Sequence, residues 1–108
     1  MSIQVPFIDL VGASSVVYRF RKAEGGLSPV GGNFVYVRDQ EGKPQVVCCG
    51  RARSIGWALA QPIWYSDENS HPDDQLYVRL NAIGTLRNQE HDDLVAGLPR
   101  PFVIYEIG

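Results

Sequence analysis

Four consecutive apolar residues near the middle of the chain constrain the fold most strongly. Val46–Cys49 (VVCC) follows a polar run, residues 39–44, whose Gly42 and Pro44 are typical of a turn. Consecutive side chains of a strand point to opposite faces, so a strand that is apolar at every position is buried on both faces. We therefore place this strand in the interior of a sheet, with a neighbour on each side.

Other segments supply strands for such a sheet. Residues 15–21 alternate, which places Tyr18 and Phe20 on one face and Arg19 and Arg21 on the other. The remaining strands are predicted over residues 2–11 (an edge strand interrupted by Pro6), 34–38, 45–49, 63–65 and 102–107.

Two helices are predicted between the later strands. Apolar residues recur at helical spacing over residues 51–60, and a longer helix is predicted over 73–97, beginning at Asp73 and Asp74 and ending at Gly97. The order of elements predicts an α+β fold in a single domain, residues 1–108. We expect a mostly antiparallel sheet of about four or five strands with two main helices packed on it.

Composition narrows the class of protein. Cys48 and Cys49 are the only cysteines, and neighbouring strand residues cannot easily pair, so we predict free thiols in a reducing compartment, the cytoplasm. No apolar run is long enough to span a bilayer, so no membrane partner is expected. The formal net charge of −2 argues against a strongly basic nucleic-acid surface.

The residues after the apolar strand suggest an anion site. Arg51 and Arg53 fall in the first turn of the predicted helix, where cations are unfavourable, and Gly50 would let backbone amides approach a ligand. The alternative is that both arginines are solvated or paired with Glu41 or another acid. The residues predicted to bind an anion or nucleic acid are Gly50, Arg51, Arg53, Arg19 and Arg21.

The long predicted helix has polar groups on its apolar face. If it is continuous, Arg87, Glu90 and His91 lie on the face that carries Leu94, close enough to contact one another. A helix break near Asn88 is the alternative, and it would turn these groups outward.

Short motifs resemble the GIY-YIG nuclease domain. Residues 16–18 (VVY) resemble its first motif, and residues 46–55 are similar to its second motif and the start of the helix that follows. Residues 90–95 look like the helix that supplies the metal-binding glutamate, and residues 98–102 resemble the closing segment. An active member of that family would use Mg²⁺ and an attacking water.

The resemblance implies that Tyr18, Glu90 and His91 are the catalytic residues of an active enzyme, with Glu90 as the Mg²⁺ ligand. Cys48 stands where the second tyrosine belongs, and Ala58 stands near the expected catalytic arginine. These departures imply a degenerate member that has kept the scaffold and lost cleavage.

Three functions follow from the sequence. The first is a regulatory or protein-interaction module, or a homodimer formed through an edge strand such as residues 3–10, and the slight acidity of the chain favours it. The second is a nucleic-acid or phosphate-binding domain that uses Gly50, Arg51 and Arg53. The third is a metal-dependent nuclease. No cofactor is expected, except Mg²⁺ for the nuclease.

Overall fold

Six strands form one sheet in the computed structural model, which describes residues 5–24, 28–59 and 63–107. The strands are β1 (Phe7–Val11), β2 (Val17–Lys22), β3 (Gly32–Gln40), β4 (Lys43–Ala52), β5 (Gln75–Leu80) and β6 (Val103–Ile107). The helices of these described ranges are α1 (Ile55–Leu59) and α2 (Gly84–Gly97), with a 3-10 turn at Ile63–Ser66.

The strands lie in the order β1-β2-β5-β3-β4-β6. All neighbours are antiparallel except β4 and β6, which are parallel. The apolar run of β4 therefore has a strand on each side, which confirms its predicted interior position. β1 and β6 form the two edges of the sheet.

The predicted fold class is wrong in strand number, sheet type and helix content. The sheet has six strands and is mixed, and α1 is only five residues long. The main error lies in residues 75–80, which were expected to begin the long helix and instead form β5. Leu76 and Leu80 are four positions apart, and this spacing places two residues on one face in a strand as well as in a helix. The pattern therefore did not distinguish the two structures.

Smaller corrections concern the ends of elements. β4 continues to Ala52, so the helix predicted over 51–60 is reduced to α1, and residue 60 lies outside the described residues. Residues 63–65 form a 3-10 turn rather than a strand. Residues 2–4 of the first predicted strand also lie outside the described residues.

The sheet buries side chains on both faces. Helix α2 packs on one face, which we call the α2 face, and α1 packs on the opposite face, which we call the α1 face. Buried side chains of the α2 face include Leu10, Tyr18, Phe20, Val35, Cys49, Tyr77 and Leu94. Those of the α1 face include Phe34, Tyr36, Cys48, Ile55, Leu59 and Trp64.

The α1 face is left uncovered over the first two strands. Phe7 and Val11 of β1 and Val17 of β2 are each about half exposed, whereas Ile8 and Leu10 between them are buried on the α2 face. No helix in the described part of the chain is both long enough and apolar enough to cross a membrane.

Candidate functional site

A row of polar side chains crosses four neighbouring strands beneath α2. Asn33 of β3 is in register with Arg79 of β5 on one side and with Arg51 of β4 on the other. Arg51 in turn is in register with Glu106 of β6. Arg87, Glu90 and His91, the polar residues that the sequence placed on the apolar face of the long helix, meet this row.

The first half of the row is bound to α2 by direct contacts. The Nε and Nη2 atoms of Arg79 each lie 3.1 Å from a carboxylate oxygen of Glu90. The side-chain amide of Asn33 donates to the backbone carbonyl of Arg87 at 3.0 Å, and the Nη1 atom of Arg87 donates to the carbonyl of Asn81 at 3.0 Å. Arg87 and Glu90 therefore face the sheet, as predicted, although the helix that carries them begins only at Gly84.

His91 and Arg51 share Glu106 at the other end of the row. The Nε2 atom of His91 lies 3.4 Å from Oε1 of Glu106, and Nη2 of Arg51 lies 3.5 Å from Oε2. Burial lowers the pKa of His91 below its usual value, and the nearby Glu106 carboxylate, which acts in the opposite direction, does not offset this. His91 is therefore neutral at pH 7, and its contact with Glu106 is a polar contact rather than an ion pair.

Tyr18 has a structural partner on the same face. Its hydroxyl donates to Oδ2 of Asp93 at 2.7 Å, and the guanidinium of Arg79 lies 5.5 Å from its ring centre. Burial, reinforced by the hydrogen bond to Asp93, raises the pKa of Tyr18. Tyr18 and Glu90 thus both lie near Arg79, but Glu90 forms an ion pair with Arg79 whereas the Tyr18 hydroxyl donates to Asp93.

The described residues contain no group of three or more His, Cys, Asp or Glu side chains that could hold a metal ion. Glu90, the predicted Mg²⁺ ligand, is instead paired with Arg79. The nuclease hypothesis and its Mg²⁺ site remain predictions without geometric support from these residues.

Asp93 is a site that sequence reasoning missed. Its carboxylate accepts hydrogen bonds from the backbone amide of Ser14 at 2.8 Å and from the Ser14 hydroxyl at 2.6 Å, in addition to the bond from Tyr18. These bonds attach the second half of α2 to the β1–β2 turn. No local sequence signal reveals them, because the partners lie more than 70 positions away along the chain.

Asp74 was predicted to begin the long helix, and this prediction is wrong because the residue lies in the loop before β5. The carboxylate is buried on the α1 side, where it accepts two hydrogen bonds from Arg38 at 2.8 and 3.0 Å. It also accepts from the indole of Trp64 at 2.8 Å and the backbone amide of His71 at 2.9 Å. This arrangement anchors the loop before β5 and is structural in character.

The predicted anion site is not assembled as expected. Gly50 and Arg51 lie inside β4 rather than at a corner between strand and helix, and α1 begins only at Ile55. A Cβ atom at Gly50 would lie 2.2 Å from Cζ of Phe34, so close packing of this ring explains the glycine. Arg53 is exposed after the strand ends.

The other two predicted anion-binding residues lie elsewhere. Arg19 alternates with buried Tyr18 and therefore projects from the opposite face of the sheet to Arg51, as does Arg21. Arg19 is paired with Asp9, with its Nε atom 2.9 Å from the carboxylate. The five predicted anion-binding residues therefore do not converge.

The cysteines are free and buried, as predicted. Cys48 belongs to the core of the α1 face and Cys49 to that of the α2 face. Burial raises the pKa of both thiols, in the case of Cys49 to about 12. Neither is therefore a thiolate at neutral pH, which argues against a nucleophilic role.

The outer edge of β1 carries unpaired backbone groups. The amide of Lys22 donates to the carbonyl of Pro6 at 2.8 Å, and the amide of Gly12 donates to the carbonyl of Val16 at 2.9 Å. In an antiparallel ladder alternate residues point towards the neighbouring strand, so Pro6 and Gly12 fix the phase. The backbone groups of the odd-numbered residues Phe7, Asp9 and Val11 therefore point away from β2. In the described part of the chain, no strand pairs with them.

A groove runs beside this edge. Its cavity volume is about 550 Å³, which falls within the usual range for binding pockets. One wall is β1, and the others come from the β3–β4 hairpin and the segment that follows α2. The lining residues are Asp9, Leu10, Val11, Gln40, Pro44, Gln45, Val46, Gly97, Leu98, Pro99 and Arg100.

Sequence analysis predicted the edge strand but not the groove. Its walls come from three segments that are far apart in the sequence, and only the order of the strands brings them together. We take the β1 edge and this groove, named the edge groove below, as the candidate functional site.

Comparison with known proteins gives no further guide to this site. No family model, no curated protein and no solved structure matches the chain. The resemblance to the GIY-YIG domain stays a prediction, and a functional proposal has to rest on geometry.

Proposed function

We propose that this domain is a protein-interaction module that binds an extended segment of a partner protein along the outer edge of β1. The observation that carries the proposal is the outward direction of the backbone groups of Phe7, Asp9 and Val11, next to the edge groove. An added strand would form main-chain hydrogen bonds with these groups, and its side chains would enter the groove on one side of the sheet.

The edge has few of the features that block strand addition. Exposed edge strands are commonly protected by proline, by lysine or another charged side chain, or by a bulge. The sequence of β1 (FIDLV) has neither proline nor lysine, and its one charged side chain, Asp9, is paired with Arg19. Its pairing with β2 runs in continuous register from Phe7 to Val11. The side chains of Phe7 and Val11 on the α1 face are 48% and 49% exposed, so side chains of a partner strand on that face would cover apolar surface as well.

A different protein suits this edge better than a second copy of the chain. Antiparallel self-pairing that uses all the outward backbone groups is centred on Asp9, and it sets Phe7 opposite Val11 of the second copy. The same register sets each Asp9–Arg19 pair against the same pair of the second copy, with Asp9 directly opposite Asp9 and no opposite charge facing it across the new strand pair, and like charges directly opposite each other destabilise a sheet. The homodimer that the sequence also suggests is therefore the less favoured occupant.

Phosphate or nucleic-acid binding has less support from the geometry. Arg51 is paired with Glu106 and Arg19 with Asp9, on opposite faces of the sheet. Binding through a strand edge requires no metal and no cofactor. We also assign the domain to the cytoplasm, because its two buried free thiols suit a reducing compartment.

A proline placed at the outer edge tests this proposal. Val11→Pro removes an outward amide and adds a ring at the edge, and it leaves the bonds to β2 in place. Val11→Thr is the matched control, because it keeps the amide and is equally suited to a strand. Random peptides of about 12 residues, long enough for one strand, are selected on the wild-type protein from a display library.

The selected peptides are expected to bind wild type and Val11→Thr alike and to bind Val11→Pro at least about tenfold more weakly, since several main-chain hydrogen bonds are lost. Circular dichroism melting of all three proteins checks that the fold is kept. Equal binding to the three proteins, or a library from which no peptide is enriched, would overturn the proposal.

A further inference from the structure

We infer that the bound segment carries an acidic side chain that pairs with Arg100 in the edge groove. This inference rests on the proposed function and specifies the chemistry of the partner. Two charged residues line the groove, Asp9 on the strand side and Arg100 on the opposite wall. Their different surroundings decide which charge is available to a ligand.

The charge of Asp9 is already satisfied. Arg19 donates to both carboxylate oxygens of Asp9, from Nε at 2.9 Å and from Nη2 at 3.1 Å. This hydrogen-bonded pairing lowers the pKa of Asp9, so the carboxylate stays ionised and paired. A basic side chain on the ligand would have to compete with Arg19 for the same oxygens, and Asp9 therefore does not favour a basic segment.

Arg100 is in the opposite situation. It is exposed, and no carboxylate in the described part of the chain forms a salt bridge with it. Its guanidinium lies 5.2 Å from the ring centre of Phe102. Such cation–π contact holds the group over the ring while leaving N–H donors at its edge for a ligand. Guanidinium groups bind carboxylates through two parallel hydrogen bonds, so an acidic side chain is the matching partner.

The remaining lining of the groove indicates which kind of residue lies next to the acidic side chain in the bound segment. Leu10, Val46 and Leu98 are buried apolar residues of its lining. Because side chains of an added strand alternate between its two faces, the residues that face the groove are two positions apart. The segment therefore has an acidic residue with an apolar residue two positions away, both on the groove side.

Selected peptides provide the test of this pairing. One peptide that binds wild type and loses binding to Val11→Pro is chosen and synthesised in three forms. The first is the unchanged peptide, the second has its acidic residue neutralised from Glu to Gln or from Asp to Asn, and the third has an amidated C-terminus. Each form is titrated by calorimetry against wild type, Arg100→Gln and Arg53→Gln. Arg53 is an exposed arginine outside the groove, and its variant is the matched control.

Arg100→Gln is expected to lower the affinity for the intact peptide about tenfold. Neutralising the acidic residue of the peptide is expected to lower the affinity of wild type equally, and the two changes together should lower it no further. Arg53→Gln and C-terminal amidation are expected to leave the affinity unchanged. If Arg100→Gln binds normally while Val11→Pro still loses binding, the inference fails and the proposed function stands. Selected peptides without acidic residues, or loss of affinity on amidation alone, would likewise overturn the pairing. Binding that Val11→Pro does not affect counts against the proposed function itself.

Discussion

Asp74 shows how a single buried charge organises a loop. Its carboxylate is fully buried and receives hydrogen bonds from Arg38, Trp64 and His71. The Tyr65 hydroxyl also donates to its backbone carbonyl. Removing a buried charge from such a set of donors leaves them without an acceptor, and this cost exceeds the value of the ion pair alone.

We predict that Asp74→Asn lowers the free energy of unfolding by about 3 kcal/mol, because the new amide places N–H donors against the existing ones. Asp73→Asn is the control, since the side chain of Asp73 is 70% exposed, and its effect is expected to stay within about 0.5 kcal/mol. Denaturant unfolding at pH 7 measures both variants. Equal effects of the two substitutions would contradict the role assigned to Asp74.

The same carboxylate predicts a pH dependence. Burial tends to raise the pKa of Asp74, but the hydrogen bonds from Arg38, Trp64 and His71 outweigh it and lower the pKa below its usual 3.8. A depressed pKa in the folded state gives stability that is present above about pH 4 and is lost as the pH falls through the folded value. The difference in unfolding free energy between wild type and Asp74→Asn is therefore expected to shrink below pH 4. A difference that stays constant from pH 7 to pH 3 would argue against this ionisation.

Helix α2 is held to the β1–β2 turn at its end by close backbone contact. A Cβ atom at Gly97 would lie 2.3 Å from the amide nitrogen of Ala13 and 2.5 Å from the carbonyl carbon of Gly12. Backbone atoms cannot rotate aside as a flexible side chain can, so the helix and the turn would have to separate. The segment after Gly97 also lines the edge groove.

Gly97→Ala is predicted to lower the free energy of unfolding by about 1–3 kcal/mol, the usual cost of forcing extra atoms into a packed contact. Gly84→Ala, at the other end of α2, is the matched control, because its Cβ meets only the Nη2 atom of Arg87 at 3.4 Å. We expect this control to be neutral or slightly stabilising, since alanine favours a helix. Denaturant unfolding compares the two variants, and equal destabilisation would refute the contact as its cause.

Sequence patterns predicted elements best where only one periodicity fits. The β3–β4 hairpin and the final strand were found, because their apolar runs are short and bounded by turn residues. The first part of the predicted helix 73–97 was wrong, since Leu76 and Leu80 of β5 satisfy both strand and helix spacing, whereas residues 84–97 form α2. The inward direction of Arg87 and His91 was nevertheless correct, because α2 keeps its helical phase after Gly84.

The candidate site was harder to predict than the elements. An edge strand over residues 2–11 was recognised, but the groove depends on where α2 ends relative to β1 and β4. The arginines of the predicted anion site lie on opposite faces of the sheet for a different reason. β2 and β4 are separated by β5 and β3, and the sequence reveals neither this strand order nor the registers that decide which residues share a face.

At the scale of the whole molecule, β1 and β6 are the two edge strands of the described sheet, and the β1 edge borders the edge groove. β6 covers part of the other side of β4, whereas β1 ends the sheet in the described part of the chain. Helix α2 packs on the α2 face, and the side chains of Phe7 and Val11 on the opposite face of β1 are about half exposed. The proposed function requires that the β1 edge is accessible in the free protein and occupied in the complex.

Amide hydrogen exchange, followed by nuclear magnetic resonance in the free protein and with a selected peptide at saturation, tests this central claim most directly. The amides of Ile8 and Leu10, which face β2, are expected to exchange slowly in both states. Those of Phe7, Asp9 and Val11 are expected to exchange fast in the free protein and to become slow when the peptide binds, because an added strand supplies their acceptors. Fast exchange of these outward amides in a saturated complex would contradict strand addition at β1.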